Sequence, residues 1–394
     1  MKVLILEWKG YGYPDIKDAY AEMGYETKVY EFSKDIGRRE PEFEAKLKEL
    51  IEEFHPDYMF TFNYFPAVAM VGKETGVKYV AWAYDSPLVL LYSYTIIFPT
   101  NYVFVFDKEL YLEFHNNGIN TVYYMPLASN PKRLNSYNDR AYFKTTPWFN
   151  KADIAFVGSL YTEEHQFYNR LTDISDYTRG YLEGIMAAQK NVLGYNFIRE
   201  VLPSKILDDM YQNLPIEVNP DGVETREYLY AQYVINRRIT GMERMEILNR
   251  IGEKYQYDLY TIDPNYRAKG CINHGGVDPY DGAPHVFHEA KINLNITLRS
   301  ITTGVPLRVF EVLGSEGFLI SNFQSDFSDV YVADEDYVYY ESVDDLMEKI
   351  DYYLLHDKRR KEIAHNGYLR TLENHSYEHR IREIEEILKE GNPQ

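Results

Sequence analysis

The residues from Ile292 to Asn322, INLNITLRSITTGVPLRVFEVLGSEGFLISN, decide how the chain is read. Two short apolar runs, Ile292–Ile296 and Gly317–Ser321, have the length and the flanks of buried strands. Between them Arg299–Gly304 reads as a polar turn, and a helix signal follows. Pro306 suits the first helical position, with Thr302 or Thr303 as the cap before it. Val305, Val309, Val312 and Leu313 form an apolar stripe that Gly314 and Gly317 bring to a stop. Strand, polar loop, helix and strand make half of a parallel α/β sheet, and such sheets bind ligands at the loops leaving their strands' carboxyl ends.

The chemistry of this loop points to phosphate. A helix start offers free N–H groups and a partial positive charge. Arg308 falls in the first turn, where a guanidinium can grip phosphate oxygens as a fork, and Asn295, Arg299, Thr303 and Gly304 surround it in sequence. Glu311, three residues on, shares its face and suits ribose hydroxyls beyond the phosphates. The alternative is a solvated ion pair between Arg308 and Glu311, and spacing alone does not separate the two.

Outward from this element the same rhythm repeats. Lys2–Glu7, Glu26–Phe32, Asp57–Phe62, Lys78–Ala83, Tyr102–Phe106 and Thr121–Met125 read as strands, alternating with helical stretches. That predicts a doubly wound α/β sheet with the loops at Gly10, Asn63, Asp85 and Asp107 along one edge. Pro126–Phe149 is turn-rich and reads as a linker, so a first domain is expected over 1–150. Ala152–Val157 opens a second sheet and ends in Gly158-Ser159, where a glycine lets backbone approach a ligand closely. A helical segment is expected over about 163–252, strongest at Leu229–Arg250. Then come a strand at Tyr257–Thr261, a polar loop at Pro264–Gly282 holding His274, and the opening element. The second domain is expected over 151–374, and a terminal helix lies within 375–394.

The totals exclude several classes. At 394 residues the chain has room for two or three domains of roughly 150 residues. A net charge of −19 argues against nucleic acid or an anionic membrane as partner, and it makes each arginine at a phosphate loop more telling. A single cysteine, Cys271, rules out an internal disulfide and a cysteine-built metal site. The apolar run in MKVLILEWKG is too short for a signal segment and no stretch reaches membrane-spanning length, so a soluble, cytoplasmic protein is expected.

Three groups of residues then converge: Phe156-Val157-Gly158-Ser159; Lys291–Asn295 with Gly304-Val305-Pro306-Leu307-Arg308-Val309-Phe310-Glu311; and His375-Ser376-Tyr377-Glu378-His379-Arg380. Together with Tyr84-Asp85-Ser86-Pro87 they resemble the CgeB-like (spore-maturation-protein) glycosyltransferases. The resemblance implies the GT-B architecture, two Rossmann-like domains facing across a cleft, with the terminal helix crossing back onto the first. It implies a nucleotide-diphosphate sugar, most plausibly a UDP-sugar, held by the second domain without a bound metal or other cofactor. By carry-over, Arg308 contacts the diphosphate, Glu311 the ribose, and Gly158 and Ser159 donate from the opposite loop. Many retaining members of the wider superfamily carry a glutamate eight positions before the ribose glutamate. Here that position is Thr303, so retention is not implied.

An inverting transfer needs a base on the acceptor hydroxyl, and Asp85, at a strand end before a proline, is the first candidate. A turn-forming aspartate is the alternative, and Asp107 and Asp15 are weaker versions of the same argument. His274 and Arg299 are candidate phosphate or sugar contacts, against plain loop residues. Asp334-Glu335-Asp336 is not read as a metal motif, and His285 with His288 lacks a third ligand. The acceptor is open: a protein, a cell-surface polymer or a small molecule. Two other functions fit the same pattern, a nucleotide-sugar epimerase or hydrolase and a non-catalytic two-lobed sugar-binding protein.

Overall fold

The computed structural model describes residues 1–136, 151–162 and 166–392, which form two compact units. The expected boundary at 150 and the start of the helical segment at 163 lie outside the described residues.

The first unit comprises Met1–Ser129, Val218–Thr225 and Ser376–Gln394. Its sheet is parallel, in the order β2-β1-β3-β4-β5-β6. The strands are β1 (Lys2–Glu7), β2 (Glu26–Glu31), β3 (Tyr58–Phe62), β4 (Lys78–Trp82), β5 (Asn101–Val105) and β6 (Val122–Tyr124). β3 and β5 are buried at every residue, because helices cover both faces of a parallel sheet and leave no solvated side. Prolines stand in the first turn of the helices Tyr13–Glu22, Pro41–Phe54 and Pro66–Thr75, where their missing N–H costs nothing.

Two distant segments complete this unit. The helix Tyr377–Glu390 packs Tyr377 among Phe62 and Trp82, and the Tyr84 hydroxyl donates to that of Tyr377 at 3.0 Å. Arg380 donates to the Pro126 carbonyl at 2.9 Å, and Lys78 to that of Leu388 at 2.6 Å. The strip Val218–Thr225 is tied by Arg38, whose buried guanidinium forks onto Asp221 at 2.9 Å and Glu224 at 2.7 Å. A bridge between Ser93 and Gly222 adds backbone pairing.

The second unit comprises Asn130–Glu217 and Arg226–His375, with a parallel sheet in the order β12-β11-β10-β7-β8-β9. Its strands are β7 (Ile154–Val157), β8 (Tyr257–Tyr260), β9 (Cys271–Gly275), β10 (Ile292–Asn295), β11 (Leu319–Asn322) and β12 (Val338–Tyr340). Ile154, Phe156, Leu259, Ile292, Leu294 and Ile320 pack with Leu248 and Ile251 of the helix Asn236–Lys254 and Leu346 and Ile350 of Val343–Leu355. Each such fully buried side chain contributes about 1.5–3 kcal/mol over exposure. A second core joins Leu182, Met186, Ile206, Met210 and Ile235 within the helical segment.

Two local expectations change. Cys271–Gly275 is an edge strand, not part of a loop. The helix expected at Leu229–Arg250 runs on to Lys254 and contains a π-helical stretch, Tyr230–Ile235. After β11, Asp336 accepts the Val332 N–H at 2.8 Å and pairs with Arg370. That pairing makes the Asp334–Asp336 triplet a structural turn.

Candidate functional site

In each sheet the strand order reverses once, between β1 and β3 in the first and between β7 and β10 in the second. At such a point the connecting helices depart to opposite faces, and a crevice opens outside the strands' carboxyl ends. The opening stretch borders the second of these: β10 leads into the loop, and Leu307–Gly314 is the helix after it. Pro306 is the N-cap, in extended conformation, one residue before the helix expected to begin with it. No side chain caps this helix; the Val309 N–H donates to the Pro306 carbonyl at 3.0 Å, and the N–H groups of Leu307 and Arg308 are left for a ligand.

Arg308 and Glu311 do form the i,i+3 ion pair, Nη1 to Oε2 at 2.7 Å, but not on a solvated surface. The Glu311 carboxylate is buried, and the Arg308 guanidinium lies 5.0 Å from the centre of the Phe287 ring. The remaining Arg308 N–H groups have no partner among the described residues, and about a third of its side chain meets solvent. The pair thus fixes the guanidinium with one edge open.

The arginine that dominates the crevice is one the sequence pattern did not single out. Arg244, on the helix Asn236–Lys254, is buried and donates through Nη1 to the Ser159 carbonyl after β7. Through Nε, at 3.2 Å, and Nη2 it donates to the Ile296 carbonyl after β10. It therefore spans the two strands between which the order reverses. Its guanidinium sits 5.0 Å from the Tyr161 ring centre and 5.3 Å from that of Phe156. Among the described residues no carboxylate lies within ion-pair distance of it. Burial pushes its pKa down, against the weaker opposing pull of Tyr161, Tyr340 and Glu243, and the nearby Arg308 charge adds to the lowering. A buried cation met only by carbonyls and rings is electrostatically incomplete. Its signal was present in the sequence: Thr240, Arg244, Ile247 and Ile251 fall on one helical stripe, so Arg244 occupies a core position.

The loop after β7 is brought in by close packing. A Cβ on Gly241 would stand 3.1 Å from the carbonyl oxygens of both Leu160 and Tyr161, so any larger residue would press the loop back by a few tenths of an ångström. The Gly158 N–H donates to the Tyr260 carbonyl at 3.0 Å, and the Ser159 hydroxyl accepts from the Tyr161 N–H at 3.2 Å.

Other candidates have different duties. Arg299 is spent on Glu243, with Nε to Oε2 at 2.7 Å, and on the carbonyls of Lys190 and Val192. It anchors the loop to the helical segment, which corrects its reading as a diphosphate contact. The His274 imidazole is engaged by the buried Asp258 carboxylate at 2.6 Å and stacks on Tyr260 at 4.6 Å. That replaces the free loop histidine with a strand-to-strand tie. Asn295 is buried and donates to Thr297 and Ser321, holding β10 to β11. Thr303 is buried against Asp326 at 3.1 Å, and the Gly304 carbonyl accepts from Gln324. These three shape the loop from behind. Arg237 and Arg238 are half-buried, over Tyr233 and Tyr168. A hollow of about 230 Å³ beside Arg299 is lined by the Arg299–Glu243 and Lys190–Glu246 ion pairs and by Glu341.

At the corresponding edge of the first sheet Asp85 is exposed, and Asn63 holds it: Nδ2 donates to its carboxylate at 2.7 Å, while Oδ1 accepts the N–H groups of Tyr84 and Asp85. Asn63 has φ of 61°, a strained left-handed residue kept by these three bonds. Asp107 caps the helix Lys108–Asn116 by accepting the Glu109 N–H at 3.1 Å, and Asp15 is buried; neither matches Asp85 in exposure. Among the described residues no cluster of three His, Cys, Asp or Glu side chains is placed to hold a metal ion, and no helix is long and apolar enough to cross a membrane.

A model of a glycosyl transferase-like family matches residues 237–386 of the chain. No curated protein matches its sequence significantly. Among solved structures the chain is similar to a glycosyltransferase from Rickettsia africae (12% identity, 99% of this chain and 98% of that one, TM-score 0.53). It is similar also to sucrose-phosphate synthase from Thermosynechococcus elongatus (10%, 99% and 98%, 0.53). A third is the UDP-GlcNAc 2-epimerase from Neisseria meningitidis (10%, 99% and 100%, 0.50). At such identities the likeness is one of fold, and the fold is the two-sheet α/β architecture of GT-B glycosyltransferases.

Proposed function

We propose that this chain is a GT-B glycosyltransferase that takes its sugar from a nucleotide-diphosphate donor, most plausibly a UDP-sugar. The observation that carries the reading is Arg244: a buried cation with no carboxylate in ion-pair distance among the described residues, at the strand-order reversal of the second sheet and next to the half-open Arg308. A diphosphate supplies the missing charge. Departure of the nucleotide is then assisted by Arg308, by the field of Arg244 and by the uncapped helix at Leu307, with no bound metal required. Glu311, held by Arg308, faces the ribose side. Gly158 and Ser159 form the opposing wall. Asp85 is the base on the acceptor hydroxyl, oriented by Asn63. The Gly304–Glu311 motif supports placement in the CgeB-like subtype.

The test is a thermal-shift panel of nucleotides and nucleotide sugars on the full chain. A rise of several degrees with UDP or its sugars supports the reading, and indifference to every nucleotide overturns it. Turnover unchanged by a chelator supports the metal-free scheme. The epimerase likeness keeps a second reading in play, because the two activities share this fold. Isomerised nucleotide sugar in the absence of any acceptor marks the epimerase; product attached to an acceptor marks the transferase.

A further inference from the structure

A hollow of about 610 Å³ opens at the carboxyl ends of β1 and β2 in the first unit, lined by Trp8, Lys9, Glu31, Phe32, Ser33 and Lys34. We infer that it binds the acceptor, and that this acceptor is a sugar carrying a negative charge, as phosphate or carboxylate. The inference rests on the transfer reading above and names its second substrate.

The aromatic wall is fixed in place. The Trp8 indole N–H donates to the Phe62 carbonyl at 2.6 Å, and the ring meets Phe65 and Tyr13 edge to face at 6.3 and 6.4 Å. Phe32 packs on Phe43 and Phe65 at 5.2 and 5.0 Å. Rigid half-buried rings of this kind offer flat apolar area to the C–H face of a sugar at little entropic cost.

The charges on the rim give the acceptor its sign. Lys9 and Lys34 are exposed and form no ion pair among the described residues, in a chain with 61 acids against 42 bases. Glu31 is the one acid in the lining, and the neighbouring Glu7 is already neutralised by Lys17 at 2.8 Å. Lys9, which lines the hollow, also adopts φ of 64°, a left-handed conformation that lysine rarely takes. The location agrees with catalysis. The strand order reverses between β1 and β3, and Asp85 ends β4 on the same edge, two strand spacings or roughly 10 Å from β1. Phe62 and Asn63 at the end of β3 bridge that interval by accepting from Trp8 and holding Asp85.

The test is calorimetric binding of glucose 6-phosphate, glucuronate and glucose to the full chain at low salt, with UDP as a separate arm. At least one charged sugar is expected to bind tenfold or more tightly than glucose, and which one does separates phosphate from carboxylate. Lys9→Asn, which tolerates the left-handed backbone, combined with Lys34→Gln is expected to erase that preference while the UDP response stays intact. Equal binding of charged and neutral sugars, or a preference that survives the double substitution, overturns the inference. A UDP response without charged-sugar binding sinks this subsite alone. Charged-sugar binding without any nucleotide response sinks the transfer reading and leaves the subsite as a sugar site.

Discussion

The two sheets share a topology and differ in what stands on their carboxyl edges. The first presents an exposed carboxylate, Asp85, with aromatic rings and two unpaired lysines. The second presents a buried arginine without an ion-pair partner among the described residues, and a half-open one beside an uncapped helix. One edge can take a proton and hold a ring; the other can hold an anion as it leaves. The difference teaches that a doubly wound sheet fixes where a ligand goes, while a few side chains fix which ligand chemistry each edge can meet.

That division can be broken at several points. The largest effect is expected from Asp85→Asn, which should lower turnover about 10²–10⁴-fold with UDP-induced stabilisation unchanged. Near-normal turnover would remove the first sheet from proton transfer. Arg299→Ala comes next, as a loss of stability: it leaves the largely buried Glu243 unpaired, at a cost of about 3–5 kcal/mol. That corresponds to a Tm drop of roughly 10 °C on calorimetric melting. If instead only nucleotide affinity fell, Arg299 would belong to the phosphate site after all.

Arg244→Met is expected to weaken UDP roughly a hundredfold by titration, since it removes the buried charge and frees two loop carbonyls. Affinity equal to that of the parent chain would place the diphosphate elsewhere. Arg308→Lys keeps the charge and loses the planar fork, so a smaller loss of about tenfold is expected.

The smallest effect concerns His379, whose pKa is lowered first by burial and then by Arg382 and Arg380. The native state favours its neutral form, so its contribution to stability is complete above about pH 6.5 and is lost as pH falls through the lower native value. His379→Gln should reduce the drop in Tm between pH 7.5 and 5.5, and an unchanged drop would show that the residue does not titrate on unfolding.

The strands of both sheets were legible because a buried parallel strand reads as a bounded apolar run; Tyr58–Phe62 and Ile292–Asn295 are clear examples. β9 was not, since the half-buried edge sequence Cys-Ile-Asn-His-Gly has neither a run nor an alternation. Arg308 and Glu311 stood out by spacing, but only three dimensions show the glutamate buried. Arg299 and His274 looked free because their partners, Glu243 and Asp258, lie 56 and 16 residues away. Arg244 was hidden for the opposite reason. Its helix segment Asn236-Arg237-Arg238-Ile239-Thr240-Gly241-Met242-Glu243-Arg244 is dense in charge, and in the sequence a core arginine there looks no different from Arg237 and Arg238.

The first unit is assembled from three separate stretches, and the helix Tyr377–Glu390 supplies Tyr377 to its aromatic core. During synthesis, about 250 residues must be added after Ser129 before that helix emerges from the ribosome. At usual elongation rates the wait is roughly ten to fifty seconds. Throughout it, the sheet made first stays without the helix that covers Phe62 and Trp82, while the second unit, synthesised in between, has its own strands in hand. The first unit is therefore completed only after the strands of the second have all been synthesised.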